Sequence, residues 1–235
     1  MTIPRRARAL PPVLLAAAAA LALAAPSAHA EVTTGTRVSV VAIGDSLTDP
    51  KSHGGKFLGV LRKQCPDSTF DAAGKGGEMV NQMRKRFVRD VFGTDGDPKP
   101  ARTHVIVMGG VNDLYSDETA GRTVEKITKD LGAMYAAARG RGVKVVAVTV
   151  APWGGFTRYF TPHRGETTRA LNAWIRAQAA EGKVDAVVDA SVLLACDDPD
   201  RLCPDFGMKD GLHWTTKGHE RLGRALADGP FAGCR

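Results

Sequence analysis

Apolar positions along this chain follow two rhythms in turn. Val38-Ser39-Val40-Val41-Ala42-Ile43 is an almost continuous apolar run that stops at Gly44. Short runs of this kind, bounded by turn residues, predict buried strands. Phe57, Leu58 and Leu61 next share one side of a helical stretch, and residues 69–72 predict a short second strand. Met79, Met83, Phe87 and Val91 fall at i, i+4, i+8 and i+12, so residues 78–92 predict a helix with one buried stripe. A third strand is predicted at residues 105–108, and Val124, Ile127, Leu131, Met134 and Tyr135 form another helical stripe. Residues 143–150, with only Lys144 charged, predict a fourth strand. Leu171, Trp174, Ile175 and Ala179 mark a helix, residues 184–188 a fifth strand, and Leu222, Leu226 and Ala227 a last helix.

Mostly apolar strands, each followed by an amphipathic helix, predict a parallel sheet covered on both faces. Right-handed crossovers make this a three-layer α/β/α fold with a five-stranded parallel sheet. Ligands in such folds bind at the carboxyl ends of the strands. The loops of interest are therefore 44–55, 73–77, 109–115, 151–164 and 190–213. No repeat and no long linker divides residues 31–235, which predict a single domain.

Composition narrows the picture. The chain has 235 residues, 43% hydrophobic and 24% charged, which excludes collagenous, coiled-coil and wholly disordered classes. Its charge is +7, but Arg5, Arg6 and Arg8 lie in a stretch of thirty residues without an acid. The remainder carries 29 basic against 25 acidic residues, too small a surplus for a nucleic-acid footprint. Arg84-Lys85-Arg86, next to Phe87, reads as a helix face with a solvated side.

The first thirty residues read as an address. A basic start precedes an apolar run over residues 13–25, and Ala28-His29-Ala30 gives the small-x-small cleavage pattern. This is the plan of a secretory signal peptide over residues 1–30, too short in its apolar part to span a bilayer. The expected product is secreted, extracellular or periplasmic, without stable membrane insertion. Its four cysteines, Cys65, Cys196, Cys203 and Cys234, agree with export. Three pairings are possible; Cys196–Cys203 and Cys65–Cys234 are favoured, the first as a short closure, the second tying the first helix to the C-terminus. No C-x₂₋₄-C pair exists, so no metal site is expected, and no cofactor.

Four of the loops carry short motifs. The first reads Gly44-Asp45-Ser46-Leu47, the second Gly74-Lys75-Gly76-Gly77, the third Gly110-Val111-Asn112-Asp113, and a late loop Asp210-Gly211-Leu212-His213. In this order the set resembles the SGNH (GDSL) hydrolases over residues 38–222. That family has a Gly-Asp-Ser-Leu nucleophile turn, a glycine after the second strand, Gly-x-Asn-Asp after the third, and a late Asp-x-x-His. The second block usually opens with Asn-x-Gly, where this chain has Ala72-Ala73-Gly74. The family's oxyanion glycine is matched to Gly77, with Gly74 as the alternative. Trp214-Thr215-Thr216 also departs from the family's usual Pro and small polar residues.

The resemblance implies a flavodoxin-like SGNH-hydrolase fold with strand order 2-1-3-4-5, which makes the loops after strands 1, 2 and 3 neighbours. It implies a secreted serine esterase with Ser46 as nucleophile, His213 as base and Asp210 orienting the imidazole. Ser46 is expected where a strand turns into a helix, its N–H pointing outward. That N–H, the Gly77 N–H and the Asn112 amide would form an oxyanion hole. Asp45 and Asp113 are expected to brace loops. The expected partner is a small-molecule, carbohydrate or lipid ester; the expected state is a monomer.

Other readings stand beside these. His219, at the opening of the last helix, is expected to make a local hydrogen bond; His104 begins a strand, and His53 could line the pocket. Trp153, Phe156, Tyr159, Phe160 and Trp214 either grip substrate or pack on their own body, with Trp153, Phe156 and Trp214 the candidate substrate contacts. An acyltransferase using the same triad is one rival. A non-catalytic module binding an anion at Gly74–Gly77 is another.

Overall fold

The computed structural model of the protein describes residues 35–235. The expected signal peptide, residues 1–30, lies outside the described residues. Five parallel strands form one sheet: β1 (Ser39–Gly44), β2 (Thr69–Gly74), β3 (His104–Met108), β4 (Lys144–Val148) and β5 (Ala186–Val188). Their order is β2-β1-β3-β4-β5. Gly44 at the end of β1 pairs with Gly74 of β2 on one side and Met108 of β3 on the other. Strand order therefore puts three loop-bearing ends side by side at the carboxyl edge.

The period of two along each strand divides the core between two layers. Val41, Ile43, Val105, Val107 and Val145 face α2 (Val80–Phe92), α3 (Val124–Arg139) and α4 (Pro162–Ala180). Val40, Ala42, Ile106, Val146 and Val148 face α1 (Phe57–Gln64) and α5 (Thr216–Asp228). The architecture is three layers, α/β/α. Thr123, Thr161 and Thr215 each accept a backbone N–H at the start of α3, α4 and α5, which satisfies an otherwise orphaned donor.

Two disulfides join Cys65 to Cys234 and Cys196 to Cys203, with Cα–Cα distances of 5.4 and 5.0 Å. The first spans 169 positions of sequence. Beside it, Thr36 N–H donates to Gly233 O at 2.7 Å. The described ends of the chain are thus tied together behind α1.

Three local expectations are corrected. No helix follows β1 directly. Residues 45–49 form a turn in which the Thr48 and Asp49 N–H groups return to Asp45 O, then a short 3₁₀ turn at Pro50–Ser52, with α1 beginning only at Phe57. Arg86 is not on a solvated face: it is 4% exposed, and its guanidinium lies under the sheet end. His219 makes no local side-chain hydrogen bond at Nδ1. It is 1% exposed, stacked against Phe57 and tilted against Trp214, with Nδ1 unpartnered. Burial in that apolar setting pushes its pKa down to about 4.

Candidate active site

Ser46 leaves β1 on a turn held from beneath. The buried Asp45 carboxylate accepts Leu47 N–H at 3.0 Å, fixing the backbone on either side of the serine. The Ser46 side chain is free of capping duty, and its Oγ lies 2.9 Å from His213 Nε2. His213 Nδ1 lies 2.6 Å from Asp210 Oδ2, and Asp210 Oδ1 accepts the His213 and Leu212 N–H groups, each at 3.0 Å. Gly211 between them adopts φ +73°, a left-handed conformation that glycine takes without penalty. Partial desolvation opposes ionisation of Asp210. Hydrogen bonds from the His213 ring and from the Leu212 and His213 amides outweigh it and hold the carboxyl below its ordinary range.

Ser46, Gly77, Asn112 and His213 line one open cleft of about 640 Å³, with Ser52, His53, Gly76, Tyr115, Phe156, Met208 and Leu212. Among the described residues, the Ser46 and Gly77 N–H groups make no hydrogen bond. The Gly76 N–H, by contrast, is committed to Asp49 Oδ2 at 3.0 Å. Gly77 sits at φ +75° with nothing near where a Cβ would stand. Gly74 is packed instead: a Cβ there would lie 2.3 Å from Asp49 N. The structure thus puts Gly77, not Gly74, at the cleft. Asn112 is buried, and its Nδ2 donates to Glu78 O at 2.8 Å, which leaves one amide proton for the cleft.

Two acids brace these loops. Asp113 accepts Val80 N–H at 2.8 Å and Arg122 Nε at 2.6 Å. Asp45 is buried with Oδ2 unpartnered. Desolvation pushes its pKa up to about 6, against the Leu47 N–H and the nearby His213, with Asp113 adding to the rise.

The aromatic residues divide. Phe156 lines the cleft and packs with Tyr115 and Tyr159 at centroid distances of 6.0 and 4.9 Å. Trp153 and Trp214 are each 1% exposed and do not reach the cleft. Trp153 belongs to one core layer, its indole N–H donating to Thr168 Oγ1 at 2.9 Å, and Trp214 to the other. Both indoles complete the core under the loops, which explains their density there. A separate cavity of about 470 Å³ is lined by Trp153, Phe160, Arg169 and Arg176, among others, and contains neither Ser46 nor His213. Its arginines are occupied by Asp200 and Asp189.

Sequence reasoning missed Tyr115, Met208 and Ser52 at the cleft and Arg86 beneath it. Arg86 had a legible signal. It lies three residues after Met83 and adjoins Phe87, inside the arc of the buried stripe.

Comparison with known proteins adds the following. A model of the GDSL-like lipase/acylhydrolase family matches residues 42–221. Among solved structures, a GDSL-like lipase from Bacteroides thetaiotaomicron is similar at 21% identity and TM-score 0.63, over 81% of this chain and 86% of that one. A putative lipolytic protein of the G-D-S-L family from Desulfitobacterium hafniense is similar at 18% identity and TM-score 0.65, over 82% and 99%. A catalytic mutant of an acetylxylan esterase from Geobacillus stearothermophilus gives 18% identity and TM-score 0.64, over 86% and 99%. At these identities the likeness to the structures is one of fold. No curated protein matches the chain.

Proposed function

This chain belongs to the GDSL-like lipase/acylhydrolase family of ester hydrolases, and from that premise we propose that it cleaves carboxylic esters through an acyl-enzyme on Ser46. The observation that carries the reading is the hydrogen-bonded line Ser46 Oγ, His213, Asp210, set beside uncommitted N–H groups of Ser46 and Gly77 and the Asn112 amide.

Ser46 Oγ forms a bond to the ester carbonyl carbon while His213 Nε2 takes its proton. The carbonyl π pair moves onto oxygen, where the Ser46 N–H, Gly77 N–H and Asn112 Nδ2–H stabilise the charge. Asp210, ionised and bonded to Nδ1–H, keeps Nε2 in the accepting tautomer and stabilises the imidazolium. Collapse breaks the bond to the leaving oxygen, which receives the proton from His213. Water then attacks the acyl-enzyme along the same path and restores Ser46.

Hydrolysis is favoured over acyl transfer by solvent access. The His213 and Asp210 side chains are 33% and 41% exposed, and a transferase must keep water from its acyl-enzyme. The anion-binding alternative is disfavoured because Gly76 N–H, part of the glycine turn it would use, is already bonded to Asp49. Met208, Tyr115 and Phe156 bound a broad, partly apolar cleft suited to small or carbohydrate esters, and acetylxylan esterases share the fold. Secretion is supported by the two disulfides, which persist in oxidising compartments, and by the leader-like residues 1–30.

A fluorophosphonate probe tests the nucleophile. Covalent labelling at Ser46, absent in Ser46→Ala and strongly slowed in His213→Ala, is expected. A folded protein that takes no label sinks the reading. A screen from acetyl to long-chain nitrophenyl esters and acetylated sugars then defines the acyl and alcohol preferences.

A further inference from the structure

We propose that Arg86 is a positioning residue that holds the oxyanion donors in register; this rests on the roles given above to Ser46, Gly77 and Asn112. Arg86 emerges from α2 beneath the carboxyl edge of the sheet, and its side chain is 5% exposed. Its Nη2 donates to Gly44 O at 3.0 Å, and its Nη1 to Ala73 O at 2.7 Å. Its Nε donates to Glu78 Oε2 at 2.6 Å, and Nη1 also reaches Asp90 Oδ2 at 2.8 Å.

Each contact sits a few residues from a donor. Gly44 is two residues before Ser46, Ala73 is four before Gly77, and Glu78 immediately follows Gly77. Glu78 also connects to the third donor, because its carbonyl accepts the Asn112 amide at 2.8 Å. One planar cation therefore joins the ends of β1 and β2 and, through Glu78, the loop after β3.

The chemistry requires arginine. A buried cation is costly unless it is well paired, and this one gives four of its N–H donors to two strand-end carbonyls and two carboxylates. The guanidinium carries five N–H donors in a fixed plane; a lysine ammonium has three on a flexible stem and cannot span the same set. A residue needed only to cover the sheet would be apolar, as Met83 and Phe87 are on the same face. The oxyanion hole is sensitive to small displacements, since its donors must stand where charge develops. Loosening Arg86 should therefore act on kcat rather than KM.

The test compares Arg86→Lys, Glu78→Gln and the unchanged protein with nitrophenyl acetate, after circular dichroism shows native folding. The expected result for Arg86→Lys is kcat lower by about 10- to 100-fold with KM within about threefold, and a similar slowing of fluorophosphonate labelling. Glu78→Gln, which keeps the backbone carbonyl that holds Asn112, should lower kcat by about 3- to 10-fold. It serves as the test alone if the lysine variant does not fold. In the Asn112→Ala background the Glu78→Gln loss should shrink but not vanish, because one of the two donors it positions is gone and only Gly77 remains to be displaced. Folded variants with unchanged kcat, or losses that multiply fully with Asn112→Ala, overturn the proposal. Ser46→Ala runs as a control: if it retains activity, the catalytic reading itself has failed, which is a distinct outcome.

Discussion

Ser46 Oγ and His213 Nε2 stand 2.9 Å apart although 167 positions separate them in the chain. The contact exists because β1 lies inside the sheet, between β2 and β3, and the long connection after β5 returns across its carboxyl edge. Replacing His213 by Ala should lower kcat by about 10⁴- to 10⁶-fold with little change in KM. Asp210→Asn should lower it by about 10⁴-fold, through loss of the correct tautomer. Steady-state kinetics on a nitrophenyl ester measures both, and a loss below about tenfold for either would remove that residue from the mechanism.

Asn112→Ala should cost about 10²- to 10³-fold in kcat, the scale of one oxyanion donor. The same variant removes one hydrogen bond to Glu78 O, a contribution of about 1 kcal/mol, so the thermal midpoint should fall only by a few degrees. A large drop in midpoint with unchanged kcat would assign Asn112 to structure alone.

Asp45 predicts a pH dependence of stability. Its carboxyl is raised from 3.8 to about 6 in the folded state by burial. Between those values the folded chain holds a proton that the unfolded chain has released. Stability from this group therefore falls as pH rises through that window, by roughly 3 kcal/mol in full. Asp45→Asn, neutral throughout, should gain on the unchanged protein by about that amount between pH 4 and pH 8 in urea unfolding. A difference independent of pH would count against a protonated Asp45.

His219 predicts the opposite slope. Its pKa is lowered from 6.5 to about 4 by burial, helped by Lys56 and His213. Its contribution is full above pH 6.5 and is lost as pH falls toward 4. His219→Leu should flatten the acid limb of the stability profile, which is read by the same unfolding series.

The aromatic residues should separate by phenotype. Phe156→Ala is expected to raise KM several-fold with the unfolding midpoint nearly unchanged, since it lines the cleft. Trp153→Ala should cost about 3–5 kcal/mol of stability, the scale of emptying a large core site, because it is 1% exposed. Equal KM effects in stable forms of both would contradict the division.

Much of this molecule is legible along its length. Val40 to Ile43 and Val105 to Met108 read as strands, and Met83, Phe87 and Val91 as a helix stripe, because burial on one face imposes a period that local composition records. The four motifs are legible for a similar reason. A tight turn after a strand limits which residues can stand there, so Asp45-Ser46 and Asp210-Gly211-Leu212-His213 carry their chemistry in short, contiguous form.

Tertiary structure decided what depends on neighbours distant in sequence. Arg86 belongs to a basic triplet, and only the meeting of β1 and β2 supplies the two carbonyls that draw it inward. Trp153 and Phe156 are three residues apart, yet one enters the core and the other the cleft, because the loop folds back over the sheet end. Gly77 rather than Gly74 lines the cleft that holds Ser46, because the Thr48–Asp49 backbone already occupies the space over Gly74. The sequence by itself specified elements, layers and reactive groups; the assembled sheet determined which groups meet, since strand order and burial are properties of the whole chain.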